Sequence, residues 1–399
     1  MHNIIRKVMI STVMALLLIV TFGTITFAWI GITSYTRFEP FEITLDVSDL
    51  NEQSGTFKQA YGLELSLTGE ENSFSTSVNS TELKRNILKN FSNEYNNYLD
   101  KTNNVYDVSD ETVIQQFNSI TLDQATLKYN DVNDSFIFGD DLKFINIFSA
   151  GEQTTTKLFK FDLYVSVYQV LEDISGFSPN LNCYLTGNIL KGTTRSVGTI
   201  YDYTYPTNYS ASYPILGINA GDDTSSSLSE SIPAGTLVDG IKTVNAVSAT
   251  RLAFAKHNVV EKNHPEQYVS NNAITELIIY QGGTKNPTVT DNVYSFGGIM
   301  EDELNYALIN YNKKHPGNEI GPIPSKVLER KNTDIEYQKD NINKLINSSE
   351  QINTSRMLKM TVYFWFEGWD ADCFDVIDRS PVAISIGLTA YKENDNNGD

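Results

Sequence analysis

The chain has 399 residues and a formal net charge of -19, with 40% hydrophobic and 11% aromatic residues. That length and apolar content suffice for one large domain or two ordinary ones, and the acidity, with no block of Lys or Arg, argues against a nucleic-acid partner. Two cysteines, Cys183 and Cys373, exclude a disulfide-dense scaffold and leave two readings, one bridge in an oxidising compartment or two separate buried thiols.

At the amino terminus Arg6 and Lys7 precede a run with no charge before Arg37. Its apolar part, residues 8–32, reaches the length that a spanning helix needs. Positive charge lies before it, and Glu39 and Glu42 follow Arg37, so the positive-inside rule places the start in the cytoplasm and the rest outside. Residues 1–36 are therefore expected to be a transmembrane anchor or a signal peptide. Thr26-Phe27-Ala28 resembles a cleavage site, with the cut before Trp29. Either way residues 37–399 cross the membrane; a buried core helix is the blander alternative.

Strand patterns begin at once. Phe41, Ile43, Leu45 and Val47 alternate with polar residues, as do Leu63, Leu65 and Leu67. Residues 79–99 switch to helical spacing: Asn79 with Glu82 resembles a capping box, and Leu83, Ile87, Leu88, Phe91, Tyr95 and Leu99 form one stripe. A short helix is expected near residues 111–117. Phe161, Leu163, Val165 and Val167 then mark a long strand, and "LNCYLTGNIL" another. Residues 192–240 read as a long irregular segment, Tyr-rich at first and Ser/Gly-rich later. "VNAVSATRLAFAK" and "AITELIIYQGG" return to strands. "MEDELNYALINYNKKHPG" and "NTDIEYQKDNINKLINSSEQI" read as helices. The resulting class is mainly β: an antiparallel β-sandwich, jelly-roll-like, with helical insertions near 80–135 and 300–350, preceded by one hydrophobic helix.

The last two strands flank an acidic knot, "EGWDADCFDVIDRS". Leu358, Met360, Val362, Phe364 and Phe366 give the first an inward face, and Val382, Ile384, Ile386, Leu388 and Ala390 give the second one. They are expected to pair as neighbours, with the acids in the connection at one rim. Glu367, Asp370, Asp372, Asp375 and Asp378 supply the oxygens that Ca²⁺ requires, without the EF-hand spacing. The competing reading is a solvated turn. No other cofactor is expected.

Motifs for catalysis are missing. His2, His257, His264 and His315 are scattered and none makes H-E-x-x-H; there is no Walker A, G-x-S-x-G or C-x-x-C motif. The acid pairs Asp140-Asp141 and Asp222-Asp223 read as solvated loop residues rather than glycosidase acids. Tyr201, Tyr203, Tyr205, Tyr209 and Tyr213 offer stacking faces for sugars, or else pack onto the body of the protein.

"VYFWFEGWDADCFDVI…VAISIGLTAY", "TFAWIGITSY" and "VSATRLAFA" resemble the closing, amino-terminal and central segments of exported proteins common in Firmicutes and their wall-less relatives, similar in layout to the TasA/camelysin-like secreted proteins. The resemblance covers about a quarter of the chain. It implies a signal segment followed by a β-sandwich able to assemble into surface fibres. It also implies structural roles for Glu367, Gly368, Asp370, Asp372 and Cys373, and Cys183 is the one partner within the chain should Cys373 pair. The chain departs from the pattern at Ile30, where an aromatic is usual, and in its helical insertions. The protease activity of camelysins does not carry over without a zinc motif. The expectation is a non-enzymatic cell-surface protein, an envelope, filament or adhesion component. It would contact the membrane through residues 8–32 if uncleaved, and itself or other surface proteins beyond it. The alternative is an exported hydrolase or carbohydrate-binding protein using residues 201–213 or 367–378.

Overall fold

The computed structural model describes residues 35–37, 41–47, 61–89, 109–148, 153–169, 181–186, 190–192, 196–215, 226–266, 272–290, 292–336, 343–375 and 382–392. The amino-terminal apolar run lies outside them. No helix among the described residues is long and apolar enough to cross a membrane.

Alternation makes Arg356–Glu367 the axis of the larger sheet. Its even residues, Leu358 to Phe366, point into one core, and Tyr363 and Trp365 point into another. Both faces are buried, which explains the nearly continuous apolar run. On one side the strand pairs antiparallel with Thr250–Glu261. On the other it pairs with Phe159–Gln169 as far as Phe364, and then parallel with Thr121–Leu127 at Phe366 and Glu367. Tyr61–Ser66, Glu276–Gln281 and shorter strands extend this sheet.

A second sheet is built on Val382–Lys392, which pairs with Leu181–Thr186, Leu190–Gly192 and, in parallel, Phe41–Val47. The two sheets contribute to one apolar cluster: Phe161, Leu163, Phe254 and Phe364 from the first, Cys183, Leu185, Ile384 and Ile386 from the second. The expected pairing of the last two strands is therefore corrected. They face each other across a core instead of lying side by side. Period-two patterning gives both arrangements the same inward residues, so it could not separate them. Most pairings among the described strands are antiparallel, as expected, with the parallel pairings above as exceptions.

The described parts of the segment 192–240 are not irregular. They contribute Ser196–Thr204 and Leu237–Val244 to a four-stranded sheet, and Tyr209–Ile215 pairs with Ser226–Ile232. The pattern was hidden because the register shifts between Ile200 and Tyr203, where Asp202 takes a φ of 40°. Such a bulge breaks the alternation.

Helices Ser80–Lys89 and Asp110–Ser119 form where expected. The Asn79 carboxamide oxygen accepts from the amides of Thr81 (2.8 Å) and Glu82 (3.3 Å), and Ser109 caps the second helix. Leu83, Ile87 and Leu88 are buried; Phe91, Tyr95 and Leu99 lie outside the described residues. Strand Thr121–Leu127 falls inside the expected helical insertion 80–135. Towards the carboxyl terminus, Tyr306–Lys314 is helical as expected, capped by Asn305. The second helix is displaced: it occupies Ser325–Thr333, directly after Pro324, whose fixed φ suits a helix start. The stretch read as helical instead gives strand residues at Ile335–Glu336 and Asn343–Ile346, whose Leu345 and Ile346 enter the main core. Tertiary pairing overrides local spacing there.

A buried ion network at the acidic motif

The acidic motif begins where Arg356–Glu367 ends. Glu367, Asp370 and Asp372 are each 0% exposed. Two buried arginines meet them. Arg251, on the neighbouring strand and opposite Trp365, donates from Nη2 to Asp370 (2.9 Å), from Nε to Asp334 (3.1 Å) and from Nη1 to the Thr250 carbonyl (3.0 Å). Arg330, on the helix Ser325–Thr333, donates from Nη2 to Glu367 and to Thr126 Oγ1 (3.2 Å). Its guanidinium also lies over the ring of Phe136. Asp334 caps that helix, so one helical turn delivers both a cation and an anion.

Further hydrogen-bond donors meet the acids. Trp365 Nε1 donates to Glu367 (3.1 Å), and the Asp372 amide to Asp370 (2.9 Å). Asp372 accepts from the Phe296 amide (2.7 Å), the Ser295 hydroxyl (2.7 Å) and the Gly297 amide (3.2 Å). Gly297 has a φ of 80°, and a Cβ there would come within 2.4 Å of the Asn286 backbone. Only glycine lets this turn present its amide to Asp372.

Between the acids, the apolar residues of the motif enter three different clusters. Trp369 packs with Ile299, Leu308, Ile323 and Val327; Ala371 and Phe374 pack with Phe296 and Tyr306; Cys373 joins the core between the two large sheets. The motif is thus a junction, not a solvated turn.

Electrostatics follow from burial. Two buried arginines face four buried carboxyl groups, and half-buried Lys331 adds its charge near Asp370. Acid is in excess. Burial pushes Asp370 up to about 6 against the pull of Arg251. Burial and the charge of Asp370 push Asp372 up to about 7 against its amide and hydroxyl donors. Asp334 is raised by burial as well. Burial opposes the charge on Arg251, and Asp370, Asp334 and Glu367 outweigh it, holding the guanidinium above its ordinary value.

Of the five acids expected to offer oxygens to Ca²⁺, Glu367, Asp370 and Asp372 thus face arginine, tryptophan, serine and amide donors. Asp375 is exposed and pairs with Lys314 at 2.7 Å, and Asp378 lies outside the described residues. Calcium would have to displace those donors. Among the described residues no group of three or more His, Cys, Asp or Glu side chains is placed to hold a metal ion. Cys183 and Cys373 are both free, buried and part of the same core, and burial raises both thiols. In the Tyr-rich segment Tyr203 and Tyr205 are buried against Phe296, with the Tyr203 hydroxyl donating to the Leu304 carbonyl (2.9 Å). Tyr201 is half-exposed beneath Lys314. No spacing in the sequence ties Arg330 and Asp334 to the motif; they come from the helix Ser325–Thr333 and its cap. The Arg of "VSATRLAFA", Arg251, was in view through the resemblance alone.

No protein-family model, curated protein or solved structure matches the chain.

Removing Arg251 takes the nearest cation from two buried carboxyl groups, Asp370 and Asp334. Arg251→Ala should therefore lower the unfolding free energy by about 3–5 kcal/mol in urea titrations, whereas Asp375→Ala, at a half-exposed pair, should change it by less than about 1 kcal/mol. A second expectation concerns pH. Unfolded Asp titrates near about 3.9; with Asp370 and Asp372 raised in the fold, the native state holds more protons above that value, and stability falls as pH rises through the folded values. The urea midpoint should be higher at a pH of about 5 than at about 8, and Asp372→Asn, which keeps an acceptor for Phe296 and cannot ionise, should flatten the trend. Third, chelation of divalent cations with EGTA should leave the melting temperature unchanged within about 1 °C, because Glu367, Asp370 and Asp372 already hold arginine, tryptophan, serine and amide donors; a larger fall would place calcium at the motif.

Proposed function

We propose that the chain is an exported, non-enzymatic cell-surface protein, a jelly-roll-like β-sandwich serving as an envelope, filament or adhesion component. The observation that carries this reading is the complete burial of three acids of the motif, Glu367, Asp370 and Asp372. Their carboxyl groups join strand, helix and loop, and none opens on a cleft where a substrate could meet it. The mainly β architecture and the apolar run at residues 8–32 support it further. On the four-stranded sheet Ile241 (74% exposed), Leu237 (57%) and Tyr201 (49%) put apolar surface in solvent, which suits contact with other copies or other surface proteins. The hydrolase or sugar-binding alternative finds less support, since Glu367, Asp370, Tyr203 and Tyr205 are enclosed.

Protease added to intact cells should degrade the chain, and membrane fractionation should recover it with the envelope or the medium. Mass spectrometry of the mature amino terminus then separates an anchor from cleavage before Trp29. Full-length protein in the cytosol, untouched by external protease, overturns the reading.

A further inference from the structure

His257 stands where the strand Thr250–Glu261 breaks step. Its pairing with Arg356–Glu367 shifts register between Lys256 and Val259, and such a bulge re-aims a side chain. The imidazole is buried, and both ring nitrogens are engaged. Nδ1 lies 2.8 Å from the Asn272 carbonyl, and Nε2 lies 2.9 Å from Thr361 Oγ1. Thr361 Oγ1 in turn lies 2.7 Å from Asp162 Oδ1, on the paired strand Phe159–Gln169. Lys359 Nζ joins the two ends of this chain, 3.1 Å from Asp162 and 3.0 Å from the Asn272 side-chain oxygen.

The hydrogens along this chain can be counted. Three contacts run from the Asn272 carbonyl through His257 and Thr361 to Asp162, and each needs one hydrogen between its two atoms. The carbonyl only accepts, and so does the Asp162 carboxylate, the partner of Lys359. Thr361 has one hydroxyl hydrogen, and a neutral imidazole has one N–H. That leaves the chain one hydrogen short. An imidazolium has two N–H groups and completes it. With a neutral ring, Nδ1–H serves Asn272, and the single hydrogen of Thr361 must choose between Nε2 and Asp162. The carboxylate is the charged acceptor and makes the stronger bond, so the contact from Nε2 to Thr361 is the one that opens. The other tautomer only moves the conflict to Nδ1 and the carbonyl.

The surrounding charges set when the extra proton arrives. Lys359 on Arg356–Glu367 and Asp162 on Phe159–Gln169 face the ring with opposite signs. Farther along the same polar surface Lys160 and Lys143 pair with Asp141, and Lys89 and Asp140 lie beside them. On the ring's own strand Lys256 pairs with Glu276 and Glu350. Burial holds the imidazole below its ordinary value; Lys359 acts in the same direction, while the Asn272 carbonyl and Asp162 oppose it. The ring is therefore neutral at a pH of about 7 and takes up its proton in acidic solution. We propose that His257 is an acid-operated latch: protonation ties Asn272, through the imidazolium, to Thr361 on the central strand, and deprotonation releases the ring from Thr361. The neighbouring Ile274 and Thr275 are held by backbone bonds that do not titrate, to Gly139 (3.0 Å) and Lys256 (2.8 Å). Release is thus confined to Asn272 and the ring, and the strand Glu276–Gln281 stays paired.

Nitrogen NMR of the full-length protein labelled at histidine reads the ring directly, with His257→Gln identifying its signals. Below the midpoint both ring nitrogens should carry hydrogen. Above it Nδ1 should keep its hydrogen and Nε2 should lose it, and the Thr361 methyl signal should move with the same midpoint. That midpoint should lie below the ordinary histidine value of about 6.5. Thr361→Val removes the acceptor that the imidazolium alone can reach with Nε2–H, and should lower the midpoint by about one pH unit, a tenfold loss of proton affinity. Thr361→Ser keeps the hydroxyl and should stay within about 0.3 unit of the parent. Melting curves check that each variant is folded; should Thr361→Val not fold, the tautomer and the Thr361 signal of the parent decide alone. These signals belong to the latch itself, so titration of Asp370 and Asp372 does not imitate them. A ring that stays neutral down to a pH of about 4, a hydrogen on Nε2 instead of Nδ1 above the midpoint, a Thr361 signal that does not follow the ring, or an unchanged midpoint in folded Thr361→Val overturns the proposal.

Discussion

The fold depends on the mutual neutralisation of charge at one end of the strand Arg356–Glu367. Carboxylates and guanidinium groups removed from water cost several kcal/mol each, and only pairing with good geometry offsets that cost. Here the pairing joins parts of the chain that are far apart in sequence: Arg251 from one strand, Arg330 and Asp334 from a helix, Glu367, Asp370 and Asp372 from the motif. A buried ion pair is weak evidence of net stability. Its effect is to penalise any arrangement in which one member is displaced. The helix Ser325–Thr333 therefore has one seat against the sheet, the one that matches Arg330 to Glu367 and Asp334 to Arg251.

The same constraint explains how an acidic loop comes to lie inside the protein. Residues of the motif alternate between two duties. Asp370 and Asp372 enter the ion network, while Trp369, Ala371 and Cys373 enter three apolar clusters. The backbone supports this alternation, since Asp370 bridges Ile299 and the Ala371 amide donates to the Gly298 carbonyl at 2.8 Å. Turns closed by the Asp370 amide on the Glu367 carbonyl and by the Cys373 amide on the Asp370 carbonyl, each 2.9 Å, hold the loop across the end of the sheet.

How far the sequence could be read depended on whether each signal was local. Strands such as Phe159–Gln169 and Arg356–Glu367 alternate cleanly and were legible, as were Ser80–Lys89 with its Asn79 cap and Tyr306–Lys314. The segment 192–240 was not, because the bulge at Asp202 interrupts its period and Ser, Thr and Gly mask the rest. Asn343–Ile346 reads as helical, since nothing near it announces that Leu345 and Ile346 belong in a distant core. The acids of the motif were visible as a group, but their partners were not. Burial of Asp370 is decided by Arg251, 119 residues away, and no spacing rule reaches that far.

One face of one strand shows how the molecule separates its charges. The odd residues from Glu367 back to Lys359 share it. Glu367 sits in the ion network; Trp365 packs on Phe144 with ring centroids 5.1 Å apart; Tyr363 turns its hydroxyl to Asp141; Thr361 and Lys359 hold Asp162. Ala253, Ala255 and Leu142 close over the aromatic middle. That apolar block lies between the buried network and the ion pairs of Asp141 and Asp162. Coulomb attraction strengthens as the local dielectric falls. The block therefore allows the two charged groups to behave differently: the enclosed one fixes the fold, and the open one meets solvent and whatever it carries.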